Sequence, residues 1–330
     1  MTASTCSVYP SFIVLILFFI FSITTNSNSP KSREFCKINH ILCYETAVNS
    51  IDSITRQRLD NITHERNNYR SYLTGKREKI AVITIHGNFE APRSIDSISK
   101  FFHKEFNANV FSVLLPGYWE TPMTNLDDIS YREWTREVDR AVSIATLLGE
   151  NVIVFGHSLG GLLGIYSAFE YPESITMLFA SAPAIKQAHR AEFAGILGTI
   201  LGLSGNDYFK LNDDNGYNTP YLSPKTSLYI KSLYKFMKYR FSSDNAPNSF
   251  DFSKYKTPTM FIVSESDDVI STEAALKFFN KLKVNKEIIV YKDMDHHAIN
   301  KGKGEYIIHN DKLDGLLKEI RIFTNENLTK

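Results

Sequence analysis

An excess of charge of one sign is missing from this chain. Across its 330 residues, 37 Lys and Arg face 36 Asp and Glu, which leaves a net charge of +1. No basic stripe with interleaved aromatics stands out, so the chain lacks the electrostatic footprint of a nucleic-acid binder and none is expected as a partner. Cysteine is scarce as well: there are three, and Cys6 lies in the apolar leader, which leaves Cys36 and Cys43. Internal repeats are absent, and this excludes a solenoid or propeller array. What is present is 43% hydrophobic and 22% charged residues, enough to bury one large core, so one catalytic domain with an insertion is the economical reading.

The one long apolar run is Phe12-Ile13-Val14-Leu15-Ile16-Leu17-Phe18-Phe19-Ile20-Phe21, followed by the polar stretch Thr24 to Ser29. This is the shape of a secretory leader, although no Lys or Arg precedes it. Ser11 to Ile23 is short of the about 20 apolar residues a bilayer span needs. Residues 1–29 therefore read as a signal peptide, cleaved in preference to retained as a membrane anchor. The expected location is secreted, periplasmic or lumenal, or tethered at a membrane surface by this segment. In an oxidising compartment Cys36 and Cys43 could close a short disulfide loop or stay as two thiols, and the spacing does not choose. Asn61-Ile62-Thr63 and Asn327-Leu328-Thr329 match the glycosylation acceptor pattern, which matters only in a eukaryotic source.

From Lys79 onward, short β-branched runs alternate with amphipathic segments, the signature of a mostly parallel sheet flanked by helices. Strands are predicted at Lys79 to Ile85, Asn109 to Leu115, Asn151 to Phe155, Ile175 to Ala180, Thr259 to Val263 and Glu287 to Tyr291, the last two as buried strands. Helices are predicted at Pro92 to Phe106, Ser130 to Leu148, Leu159 to Glu170, Ser271 to Leu282 and Asp311 to Phe323. In the helix from Ser130, Trp134, Val138, Ala141, Val142 and Ile144 form the apolar face. Residues 30–78 read as a polar N-terminal extension leading into the sheet. It has a weak helical pattern over Thr46 to Asn67 and an extended stretch at Tyr69 to Leu73.

Ala184 to Lys256 separates two predicted strands by about 70 residues, far more than an ordinary connection, and is expected to form a helical cap. Its first half holds the apolar, glycine-rich run Phe193 to Leu203. Its second half sets Tyr229, Leu233, Phe236, Met237 and Phe241 among Lys231, Lys235, Lys238 and Arg240.

Chemistry concentrates at Gly156-His157-Ser158-Leu159-Gly160-Gly161, between a buried-strand pattern and a helix-compatible run. G-x-S-x-G in that context is a nucleophile elbow: a sharp strand-to-helix turn lifts the serine hydroxyl clear of the sheet, and small neighbours let the turn pack. A serine hydroxyl is too weak an acid to attack a carbonyl unaided, so a base and a group that orients the base must follow. Two later loops carry candidates. After Thr259 to Val263 come Glu265, Asp267 and Asp268, of which Asp267 is best placed to turn back toward the elbow. After Glu287 to Tyr291 come Asp293, Asp295, His296 and His297, with His296 favoured as the base and His297 as the alternative.

Two backbone N–H groups are needed for the developing oxyanion. Leu159 supplies one, and the loop Ile85-His86-Gly87-Asn88-Phe89 the other, through Asn88 with Phe89 as the alternative. His86 reads as a loop-bracing residue. Asp293, Asp295, His296 and His297 do not read as a metal site, because adjacent side chains on an extended segment point to opposite faces. No metal and no cofactor is expected.

Taken together, His86-Gly87, Leu114-Leu115-Pro116-Gly117-Tyr118, Tyr131-Arg132-Glu133-Trp134, the elbow and the two loops resemble the α/β-hydrolase superfamily. The chain is similar to its carboxylesterase, monoacylglycerol lipase and lysophospholipase group from Lys79 to about Phe323. It departs from the family's usual residues at Asn88, at Tyr118-Trp119 and at Ser264. The resemblance implies a serine hydrolase that cleaves carboxylic esters through an acyl-enzyme, with a small ester or lipid as substrate. The apolar cap run and the leader favour monoacylglycerol or lysophospholipid. Thioesterase, amidase and peptidase chemistry use the same triad, and a non-catalytic binding protein on this fold is the remaining alternative.

Overall fold

The computed structural model describes residues 30–59, 68–88, 90–119, 129–188, 224–243, 246–293, 296 and 310–328. The leader, Asn61, Phe89, His297 and the apolar cap run Phe193 to Leu203 lie outside the described residues. In chain order the elements are helices α1 (Pro30–Ile38) and α2 (His40–Leu59), strands β1 (Arg70–Tyr72) and β2 (Glu78–Ile85), helix α3 (Asp96–Phe106), β3 (Asn109–Val113), α4 (Tyr131–Leu148), β4 (Gly149–His157), α5 (Leu159–Glu170) and β5 (Ile175–Ser181). There follow α6 (Pro224–Arg240), β6 (Ser242–Ser243), β7 (Ala246–Phe250), β8 (Thr259–Ser264), α7 (Thr272–Lys281), β9 (Lys286–Tyr291) and α8 (Asn310–Leu328).

Seven strands form one sheet in the order β1-β3-β2-β4-β5-β8-β9, parallel throughout except for the edge strand β1, which runs antiparallel to β3. Successive side chains of β2 and β4 point to opposite faces, and their apolar runs are continuous, so both faces of the sheet are covered. Ala81, Ile83, Ile85, Val152 and Val154 join one core cluster with residues of α2, α4, α5 and α7. Ile80, Val82, Ile153 and Phe155 join the other, with residues of α3 and α8. Phe155 and Trp134 are fully buried, so a large-to-small change at either would cost about 3–5 kcal/mol.

Local signals fix the boundaries that matter for the site. Ser130 caps α4 through a reciprocal capping box with Glu133, whose carboxylate accepts from the Ser130 N–H at 2.9 Å. Ser271 caps α7, its hydroxyl accepting from Ala274 N–H at 3.2 Å.

Four expectations need correction. The expected helix at Pro92 begins as a 3-10 turn, Pro92–Ile95, before α3. The N-terminal extension starts its helical structure earlier than Thr46, and α2 carries Cys43, Ala47, Ile51 and Ile54 into the main core. The cap is not wholly helical where it is described: α6 is followed by the antiparallel pair β6–β7. Lastly, β9 is half-buried, because it is the sheet's outer strand and has β8 on one side alone. Cys36 and Cys43 form a disulfide with their Cα atoms 5.8 Å apart.

Candidate active site

The site is built at the carboxyl end of the parallel strands, where β4 turns into α5. Ser158 occupies that turn with φ 52° and ψ −112°, left-handed backbone that a residue with a Cβ adopts only when its surroundings force it. The turn is clamped from both sides: Ser158 N–H donates to Ser181 O at 2.8 Å, and Ser158 O accepts from Ala184 N–H at 3.0 Å and from Leu162 N–H at 3.1 Å. Two glycines are demanded by close approach. A Cβ at Gly156 would lie 2.1 Å from Gly160 O, and one at Gly160 would lie 2.0 Å from Ile85 O. The G-x-S-x-G pattern is thus the condition for packing α5 against the end of β2.

The structure brings Ser158, His296 and Asp267 together. His296 Nε2 lies 2.9 Å from Ser158 Oγ, and His296 Nδ1 lies 2.8 Å from Asp267 Oδ2. Ser158 and His296 are each 5% exposed, and the side chain of Asp267 is 3% exposed. Asp267 leaves the end of β8 on a short turn, and its other oxygen accepts from the N–H groups of Val269 at 3.0 Å and Ile270 at 2.8 Å. Burial pushes the Asp267 carboxyl up. The hydrogen bond and charge of His296, with those two N–H groups, outweigh it and hold the carboxyl below its ordinary value. An ionised Asp267 can only accept, so Nδ1 of His296 carries the proton and Nε2 is left to accept from the Ser158 hydroxyl. That tautomer is the one a general base needs. Asp293, on the loop after β9, pairs with Lys312 at 3.0 Å.

Leu159 opens α5, where the first N–H groups of a helix have no intrahelical acceptor and so can serve an oxyanion. Asn88 lies on the turn after β2, half-buried, and its side-chain oxygen accepts from the hydroxyl of Tyr118. Tyr118 is fully buried, its ring edge-on to His86 and stacked with Trp134. His86 braces the same turn: Nε2 accepts from Leu115 N–H at 3.1 Å, and Nδ1 lies 2.7 Å from Gly87 O. Burial pushes its imidazole down to about 4, which keeps it neutral.

Sequence reasoning missed two buried polar residues beneath this turn. Glu90 is 4% exposed and accepts from Gly87 N–H at 2.8 Å and Ser94 Oγ at 3.0 Å. His157, the variable residue inside the elbow motif, has Nε2 at 3.5 Å from Glu90 Oε1, and its ring centroid lies 5.2 Å from that of His296. The available signal was a carboxylate three residues beyond Gly87 and just ahead of the Ala91-Pro92-Arg93-Ser94-Ile95 turn.

Fold and site together define a nucleophile-elbow α/β hydrolase. A model of the alpha/beta hydrolase family matches residues 82–301, and the chain belongs to that family. It is similar to Lipase 1 of Psychrobacter immobilis, 26% identical over 165 residues, which are 45% of this chain and 51% of that protein. The match thus spans about half the length of that curated relative. Among solved structures, a soluble variant of monoglyceride lipase from Saccharomyces cerevisiae superposes with a TM-score of 0.61 at 14% identity, covering 79% of this chain and 92% of the other. The monoacylglycerol lipase of Paleococcus ferrophilus superposes at 0.54 and 20% identity, covering 76% and 98%. These likenesses establish the shared fold.

Proposed function

We propose that the protein is a carboxylic ester hydrolase that works through an acyl-enzyme on Ser158. The observation that carries this reading is the unbroken line of hydrogen bonds from Ser158 Oγ through His296 to Asp267. Ser158 Oγ attacks the ester carbonyl while its proton passes to His296 Nε2. The N–H groups of Leu159 and Asn88 hold the oxyanion, and collapse of the intermediate expels the alcohol, which takes the proton from His296. Water then attacks the acyl-enzyme, with His296 as base, and releases the acid. Asp267 holds the imidazole in the required tautomer and balances its charge while it is protonated.

The acyl group is proposed to be a long one, from a monoacylglycerol or lysophospholipid. Support comes from the lipase names of the similar proteins and from the apolar cap run Phe193 to Leu203. Export by the leader is proposed too, and the disulfide Cys36–Cys43 favours an oxidising compartment. Association with a membrane surface would then bring the site to its substrate.

A panel of acetyl, butyryl, lauroyl and oleoyl esters, with the matching thioester, amide and lysophospholipid, tests the substrate. The reading expects kcat/KM to peak at lauroyl or oleoyl esters of glycerol or glycerophosphate. A peak at acetyl or butyryl would replace it with a small-ester hydrolase, and faster cleavage of the thioester or amide would move the protein to those classes.

A further inference from the structure

A concavity lies between α6, β7 and α7, bordered on one side by the residues that follow β5. Its volume is about 530 Å³, within the range of about 300–1,000 Å³ typical of small-ligand clefts. No member of the Ser158–His296–Asp267 line borders it. Tyr234, Phe250, Phe252 and Phe278 line it beside aliphatic residues. Lys186, Lys231, Lys235, Lys238, Lys277 and Lys281 stand around it, and no Asp or Glu is among the described residues that line it.

This distribution is unexpected in a chain whose net charge is only +1. On α6, Lys231, Lys235 and Lys238 follow one another at i, i+4 and i+7, and on α7 Lys277 and Lys281 are four apart. Like charges at these spacings repel and weaken a helix. Glu273 offsets one of them by pairing with Lys277, and Lys281 places its ammonium 5.9 Å from the centre of the Phe252 ring. Lysine stems lying along apolar surface with their heads in water are common on helices. Here the heads ring an apolar concavity, so a ligand with an acyl chain and an anionic head would meet complementary surface with both parts.

We propose that this cavity is a binding site for a free long-chain carboxylate, with the chain against Tyr234, Phe250, Phe252 and Phe278 and the head among the lysines of α6 and α7. The assignment stands on the cavity alone and does not rest on the ester-hydrolase reading. One wall of the site touches the elbow region through backbone. Lys186 O accepts from Ser271 N–H at 2.8 Å and Ala188 N–H donates to Val269 O at 2.9 Å, so the strip that follows β5 is stitched to the loop carrying Asp267.

Titration calorimetry of the full chain with monomeric oleate, with oleyl alcohol and with phosphatidylglycerol vesicles tests the proposal. Oleate should bind at least tenfold more tightly than oleyl alcohol and lose affinity as salt rises. The double variant Lys235→Glu, Lys238→Glu should weaken oleate at least tenfold, and Ala274→Trp, which fills the cavity, should abolish this binding while the melting temperature of each variant stays near that of the parent. Should either variant fail to fold, the comparison of oleate with oleyl alcohol and the salt dependence decide the matter in the parent chain. Equal affinity for oleate and oleyl alcohol, or oleate binding unchanged in the folded variants, would overturn the proposal. So would binding to the vesicles without binding to monomeric oleate, which would make the lysines a membrane contact.

Discussion

The elbow end of the sheet and the lysine-ringed cavity differ in what holds their residues in place. At the elbow the backbone does it. Ser158 is clamped by the N–H and carbonyl groups of Ser181, Ala184 and Leu162, Asp267 by two N–H groups of its own turn, and Gly160 by the carbonyl of Ile85. At the cavity, long charged side chains project from α6 and α7, and Lys231, Lys235, Lys277 and Lys281 are exposed. The first arrangement fixes the direction of proton transfer; the second can supply affinity and charge selection with no demand on angle. One substitution at the elbow is therefore expected to cost far more than one at the cavity.

The sharpest way to break that contrast is at Asp267. Asp267→Asn keeps the shape but lets the amide donate to His296, which favours the wrong tautomer; kcat for the best ester should fall by about 10⁴-fold with little change in KM. A drop below tenfold in steady-state kinetics would remove Asp267 from its orienting role. Next comes the turn itself. Gly160→Ala forces a Cβ into the Ile85 carbonyl and should cost about 3 kcal/mol in urea unfolding. By contrast, Gly315→Ala, exposed within α8 with nothing near the added carbon, should gain about 0.5–1 kcal/mol. Equal effects at the two positions would contradict the close packing of α5 on β2.

Glu90 sharpens the comparison at a smaller scale, since it touches no reacting atom. Glu90→Ala strips the Gly87 N–H of its acceptor and should lower kcat about 10- to 100-fold more than it alters KM, by loosening the turn that carries Asn88. Glu90→Gln restores an acceptor oxygen and should recover most of the loss. A KM effect alone, or no rescue by Gln, would make Glu90 a structural residue only.

The smallest expected effect is on acid stability. Asp267 is held below its ordinary carboxylate value, so the stability it adds is fully present above about pH 4 and is lost as pH falls through the lowered folded value. Urea midpoints of the parent and Asp267→Asn should therefore converge as pH drops below that point. A constant gap would contradict the shift.

Legibility in the sequence followed the same division. The strand-helix alternation and the elbow could be read because they rest on local patterns: short β-branched apolar runs, and glycines where no Cβ fits. Asp267 and His296 could be singled out through the order of loops after successive strands, although His296 lies 138 positions from Ser158. Glu90 and His157 were not singled out: the carboxylate three residues beyond Gly87 was visible, but its burial and its approach to His157 depend on what surrounds them. The pair β6–β7 was equally hidden inside a segment expected to be helical, because Ser242-Ser243 and Ala246-Pro247-Asn248-Ser249 carry no apolar run that marks a strand. The half-buried state of β9 depends on its place in the sheet, which its own apolar run does not encode. Pairing of Cys36 with Cys43 depended on the turn between α1 and α2.

The central claim, that Ser158 is an activated nucleophile, is tested most directly by fluorophosphonate labelling of the full chain beside its Ser158→Ala variant, with ester turnover followed in the same samples. The parent should take up one label on Ser158, and the variant should take up none and lose turnover by a factor on the order of 10⁶. Labelling or turnover that survives in a folded Ser158→Ala protein would contradict the account.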